Sequence, residues 1–194
     1  MSSSSAREFA IQVISHFYPD DDSFRRLLLK HSFQVCRKAE MIMHRPECPP
    51  GLEEATVVIG ALLHDIGIGR CHAPDIGCLG DRPYIAHGVI GAEMLRSYGA
   101  VSGLNLEKYA RICERHTGTG LSAEDILRQH LPLPVRDYLP ETAEEKLICL
   151  ADKFFSKSGN MEEKELAQIV RSMRKFGREN LNRWEELCRM FGVC

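Results

Sequence analysis

Apolar residues recur three or four positions apart along almost the whole chain, and that period commits the polypeptide to helices. Phe24, Leu27, Leu28, His31, Val35, Ala39 and Ile42 form one long stripe, and Ala55, Val58, Ala61, Leu62 and Asp65 form the next. Tyr84, His87, Ile90 and Met94 mark a third face, and Leu106, Tyr109, Ile112, Cys113 and His116 a fourth. Thr142 with Glu145 three residues later spells a capping box ahead of Leu147, Leu150, Ala151 and Phe154. Two C-terminal stripes follow, Leu166 to Phe176 and Leu181 to Phe191. No alternating run is bounded by hairpin turns, and Val57-Val58-Ile59 lies inside a helical face. Pro46, Pro49 and Pro50 separate the second helix from the third; Gly67, Gly69, Pro74, Gly77 and Gly80 make 66–82 a loop, and 131–140 is a second irregular stretch. The expectation is an all-α, single-domain helical bundle over 1–194. It has about eight helices, a core region over 24–158, and C-terminal helices over 160–192 packing on it.

Its 194 residues fit one domain, and 44% hydrophobic residues supply a core. Lys+Arg 25 against Asp+Glu 27 leaves a formal charge of -2, which argues against non-specific nucleic-acid binding as the main function. A neutral protein can still carry a locally basic pocket. The longest apolar stretch, around Ala55 to Leu63, falls far short of the ~20 residues that a membrane helix needs. The opening MSSSSAREFA has neither a basic nor an apolar region of a secretory signal. A soluble, cytoplasmic protein with no membrane partner is therefore expected. The eight cysteines, at 36, 48, 71, 78, 113, 149, 188 and 194, contain no C-x-x-C pair, so they are expected as reduced thiols acting as small core residues. Cys71 and Cys78, in the Gly-rich loop, are the two where reactivity is worth testing.

Polar residues on apolar faces carry the chemistry. His31 falls in step with Leu27, Leu28 and Val35, His87 lies between Tyr84 and Ile90, and His116 follows Ile112 by four. Each alone reads as a core histidine with satisfied nitrogens. Three of them, with the doublet His64-Asp65 closing another helix, are satisfied most economically by one shared metal site. Ile66-Gly67 follows the doublet directly, with Gly67 expected as the helix stop that lets both side chains turn to one point. Asp152 is the late carboxylate; the alternative is a surface acid paired with Lys153 or Lys146.

His31, then His64-Asp65-Ile66-Gly67, then Asp152, each on an expected helix, resembles the HD superfamily of metal-dependent phosphohydrolases, specifically its HDIG-bearing members. The resemblance covers roughly residues 24 to 158. It implies one metal held by His31, His64, Asp65 and Asp152, with His64 and Asp65 as the catalytic doublet. It implies a second held by His87 (in AHGVIGAEML) and His116 (in ERHTGTG), with Asp65 bridging. A mixed imidazole and carboxylate set without thiolate suits one or two Fe, Mn or Zn ions. The implied activity is hydrolysis of a phosphate ester or anhydride on a nucleotide or other small phosphorylated molecule, through a metal-activated water. The alternatives are a di-iron HD-type oxygenase and a non-catalytic binding module in which metal is a staple.

Arg70, Arg82, Arg115 and Lys153 lie next to the implied ligands and are the candidate phosphate contacts, the alternative being solvated surface charge. Many HDIG proteins have Lys after the Gly, whereas this chain has Ile68, with Arg70 as the candidate replacement. His72 lies in the same loop and could touch substrate; His16, His44 and His130 stand at helix ends. No G-x-S-x-G, H-E-x-x-H or G-x-x-x-x-G-K-[ST] occurs, and no Gly-Tyr-Pro signature of cyclic-dinucleotide phosphodiesterases follows His116. The expected partner is a small phosphorylated molecule and not nucleic acid, and a homodimer is compatible with the sequence.

Overall fold

A computed structural model describes residues 1–193; Cys194, one of the eight cysteines, lies outside them. Among the described residues there are nine α-helices: α1 (Ser3–Phe17), α2 (Ser23–Met43), α3 (Glu54–Leu63), α4 (His87–Ser102), α5 (Glu107–Arg115), α6 (Ala123–Arg128), α7 (Ala143–Asp152), α8 (Leu166–Lys175) and α9 (Arg178–Met190). The protein is all-α. The six-residue α6 is the short helix expected ahead of His130; it is too brief to show a period and opens on a Ser122–Asp125 capping box. None is long and apolar enough to cross a membrane.

The arrangement follows from α3. Its sequence EATVVIGALL is apolar on every side, and Thr56 to Leu63 are all buried. Such a helix must be covered all round, and α1, α2, α5 and α7 pack about it. Gly60 permits the closest approach: a Cβ there would fall 2.4 Å from Ile112 on α5 and 2.8 Å from Ile148 on α7. Helix starts are fixed locally. The Asp22 carboxylate accepts from Arg25 N–H (2.7 Å) ahead of α2, and the expected Thr142–Glu145 capping box opens α7.

The 66–82 loop is more ordered than its glycines and prolines indicate. It contains two 3₁₀ turns, Ile68–Arg70 and Pro74–Ile76, and an antiparallel pair of two-residue strands, β1 (His72–Ala73) and β2 (Cys78–Leu79). Two residues cannot display an alternating pattern, so this hairpin leaves no trace in the sequence. The Tyr18 hydroxyl donates to Ile66 O (2.6 Å), tying the loop's start to the end of α1. Cys71 and Cys78 are buried in it, and burial pushes each thiol up to about 11. That overturns reactivity at these two positions, because the nucleophilic form is the thiolate. At the C-terminus α9 packs on α7, with the fully buried Trp184 against Phe154 at 6.1 Å between ring centroids.

Candidate metal centre

Three histidines are built the same way. His64 is the residue that caps the C-terminus of α3, His116 caps α5, and His87 ends a 3₁₀ turn, Tyr84–Ala86, that runs into α4. The last carbonyls of any helix lack intrahelical partners. Each ring fills one of these gaps three residues back: His64 Nδ1 to Ala61 O (2.6 Å), His87 Nδ1 to Tyr84 O (2.7 Å), His116 Nδ1 to Cys113 O (2.7 Å). A carbonyl only accepts, so Nδ1 carries the hydrogen in each ring. In its neutral form each imidazole then presents the lone pair of Nε2, as metal-binding histidines do. His31, in mid-α2, has no such carbonyl within reach, and its buried Nδ1 is without a partner.

The four Nε2 atoms and two carboxylates converge in two groups that meet at Asp65. His31 Nε2 lies 3.1 Å from Asp65 Oδ2 and 2.9 Å from Asp152 Oδ1; His64 Nε2 lies 3.1 Å and 3.4 Å from the same two oxygens. On the other side, Asp65 Oδ1 stands 3.4 Å from both His87 Nε2 and His116 Nε2, which are 3.0 Å apart. Ligands about 2.1 Å from one ion are separated by about 3.0 Å when at right angles and about 3.4 Å in a tetrahedron. The observed spacings span that range. His64 Nε2 and both oxygens of Asp65 lack a well-aimed hydrogen-bond partner despite being buried. Six polar side chains with 0–7% exposure and partly unmet polar atoms would destabilise the fold if left so. The residues fit one or two cations.

Electrostatics point the same way. Burial alone would lower His64, but Asp65 and Asp152 outweigh it and carry the imidazole up to about 9. His87 goes the other way, to about 3, through burial and the neighbouring His116. His116 is also lowered, mainly by burial. Against the opposing effect of burial, His64 and Lys157 hold Asp65 well below the usual carboxylate range, and Lys153 and Lys157 do so for Asp152. One half of the centre thus attracts positive charge and the other keeps its imidazoles neutral and ready to ligate.

The four candidate phosphate contacts separate. Lys153 reaches the cluster, its Nζ 2.7 Å from Asp152 Oδ2 and 3.3 Å from His116 O. The pairing considered for a surface acid is thus present, but on a buried one. Arg115 is buried and donates to Leu139 O and to Glu141 (2.6 Å), so its charge is neutralised away from the ligands. That is a correction, and its reason is a partner 26 residues away that spacing cannot show. Arg70, Arg82 and His72 are exposed on the 66–82 loop. Gly67 also departs from expectation: its φ of -78° is ordinary helical backbone. Its small size serves packing, since a Cβ would sit 2.1 Å from His87 O and 2.4 Å from Gly91 N on α4. Lys157 and Tyr84 were missed. Lys157 Nζ lies 2.7 Å from Asp65 Oδ2, and the Tyr84 ring stacks on His87 at 4.9 Å. Tyr84 stood on its helical stripe but was read as apolar, and Lys157 lies in coil with no period.

A family model described as HD domain matches residues 28–157. The chain is 34% identical over 146 residues to a tRNA (cytidine(56)-2'-O)-methyltransferase of Picrophilus torridus, covering 72% of this chain and 37% of that protein. It is 45% identical over 96 residues to an uncharacterized protein of Methanocaldococcus jannaschii, covering 50% of this chain and 46% of the other. A Thermoplasma volcanium protein named as the same methyltransferase is 34% identical over 124 residues, 64% of this chain and 30% of that one. The chain therefore spans less than half the length of each of these relatives. No solved structure matches significantly.

Proposed function

Since the chain belongs to the HD domain family, we propose that it is a metal-dependent hydrolase of phosphate esters or anhydrides, acting on a small phosphorylated molecule. The observation that carries this reading is the division of Asp65: Oδ2 faces His31 and His64, and Oδ1 faces His87 and His116. His31, His64, Asp65 and Asp152 would hold one ion, and Asp65, His87 and His116 a second. Bound there, Fe, Mn or Zn ions supply Lewis acidity that lowers the pKa of water and polarises a phosphoryl oxygen.

The chain's own residues do the rest. Backbone carbonyls hold Nδ1–H of three rings, so Nε2 is the nitrogen left to ligate, in His64 once its proton is displaced. Lys153 holds the second oxygen of Asp152 and keeps that carboxylate ionised. A cavity of ≈370 Å³ is lined by Tyr84, which stacks on His87, and by Lys157, which pairs with Asp65.

The test is metal analysis of protein purified without added metal, followed by a panel of phosphate esters and anhydrides. Phosphate release that a chelator abolishes and Mn²⁺ or Fe²⁺ restores is expected. Consumption of oxygen without phosphate release would replace hydrolysis by oxidation. Methyl transfer is named for relatives that this chain covers by 37% and 30%. Methylation of tRNA by this chain alone, without phosphate release, would equally overturn the reading.

A further inference from the structure

The open cavity beside the centre has a simple chemistry. Its lining includes Asp75, Ile76, Tyr84, Ser156, Lys157 and Ser158, and its volume is ≈370 Å³. That volume lies within the range of small-molecule sites. Lys157 is the one cation in this lining and Asp75 the one acid. The Lys157 side chain is 12% exposed, and its ammonium lies 2.7 Å from Asp65 Oδ2. The same oxygen faces His31 and His64. A divalent ion held at that oxygen and the ammonium would repel each other at a few ångströms, in a site with little water to screen them.

The backbone on either side of Lys157 is fastened. Lys164 Nζ donates to Lys153 O (3.3 Å) and Phe155 O (2.9 Å), and Gln34 Nε2 donates to Met161 O (2.7 Å). A lysine stem has four rotatable carbons, so its ammonium can leave Asp65 for the cavity without moving this base. Ser156 and Ser158 line the same cavity, and their hydroxyls are further donors. We infer that Lys157, with Ser156 and Ser158, is the binding site for a substrate's phosphoryl group, and that the cavity takes a phosphomonoester in preference to a polyphosphate chain. One cation balances one phosphoryl group, Tyr84 and Ile76 offer apolar surface to the organic part, and Asp75 repels further phosphates. This rests on the reading of the centre as a phosphohydrolase.

The experiment uses the whole chain with Mn²⁺ and then inorganic phosphate as calorimetric probes. Lys157→Met removes the competing ammonium, so Mn²⁺ is expected to bind at least as tightly as in the wild type. Phosphate affinity of the Mn²⁺-loaded protein falls tenfold or more, and Lys157→Arg restores part of it. Ser156→Ala with Ser158→Ala leaves the ion pair in place and lowers phosphate affinity severalfold, which keeps the test alive if Lys157→Met does not fold. Unchanged phosphate affinity in these variants overturns the inference, as does loss of Mn²⁺ from Lys157→Met, which would make the residue a support of the ligand set. No phosphate binding by the Mn²⁺-loaded wild type overturns it too. Asp75→Asn is expected to raise kcat/KM for adenosine triphosphate relative to the monophosphate; an unchanged ratio overturns the preference for monoesters. The two readings fail separately. Phosphate binding that depends on Lys157 without hydrolysis of any ester defeats the hydrolase, whereas hydrolysis indifferent to Lys157 defeats only this site.

Discussion

In the proposed centre Asp65 serves each half through a different oxygen, so Asp65→Ala removes a donor from both halves, whereas His116→Ala removes one donor from one half. Asp65→Ala is expected to lose most bound metal and to reduce hydrolysis by about a thousandfold, the scale of several kcal/mol of lost charge stabilisation. His116→Ala should keep the first ion and lose less rate. Metal content, rate and a thermal melt of each variant check this; an Asp65→Ala protein that is folded, metal-replete and fully active defeats the hydrolase reading. Protons and metal also compete here. In the metal-free fold His64 keeps its proton up to about 9, against 6.5 for an unperturbed histidine. Stability from that proton is fully present below about pH 6.5 and is lost as pH rises through 9. Asp65 and Asp152 have lowered values, so their contribution is present above about pH 4 and is lost in acid. The Tm of chelator-treated protein should therefore decline from pH 6.5 to 9, while added metal displaces the His64 proton and flattens the decline. Scanning calorimetry across that range, with and without Mn²⁺, reads both slopes.

At the scale of elements, α4 is seated on the His64–Gly67 segment through Gly67, where no Cβ fits beside His87 O and Gly91 N. Gly67→Ala is expected to cost about 1–3 kcal/mol by overpacking, seen as a Tm lower by roughly 3–10 °C. Because α4 carries His87, binding of the second ion should weaken more than that of the first, which a calorimetric titration resolves. The helices and the His-Asp doublet were legible in the sequence because period and caps are local. The six candidate ligands come together because the same elements supply their orientation. What was not legible came from pairings between distant segments. Lys157 reaches Asp65 from a distant coil that Gln34 and Lys164 fasten, and Arg115 is neutralised by Glu141. The role of Gly67 was misread because its sequence neighbours match a helix stop, while its actual constraint is α4, some twenty residues on.

For the whole molecule, Trp184 packs α9 on Phe154, just past the end of α7 at Asp152, and Asn180 and Arg183 tie α9 to Thr119 and Asp125 beyond His116. We expect the chain to melt in one transition, with Trp184→Ala costing about 3–5 kcal/mol and lowering Tm by about 10 °C. Two separated transitions in calorimetry would show that the C-terminal helices fold apart from the rest. The donors of the centre are strung along the chain in the order His31, Asp65 with His64, His87, His116 and Asp152, and the bond from His31 to Asp152 closes 121 residues. During synthesis at about 5–20 residues per second the ribosome delivers them in that order. The three-donor half is complete once His116 has emerged, yet the four-donor half waits a few seconds more for Asp152. In the proposed centre a nascent chain would therefore present three candidate ligands before four, and an ion taken up early would have to be held, or passed on, by an unfinished site.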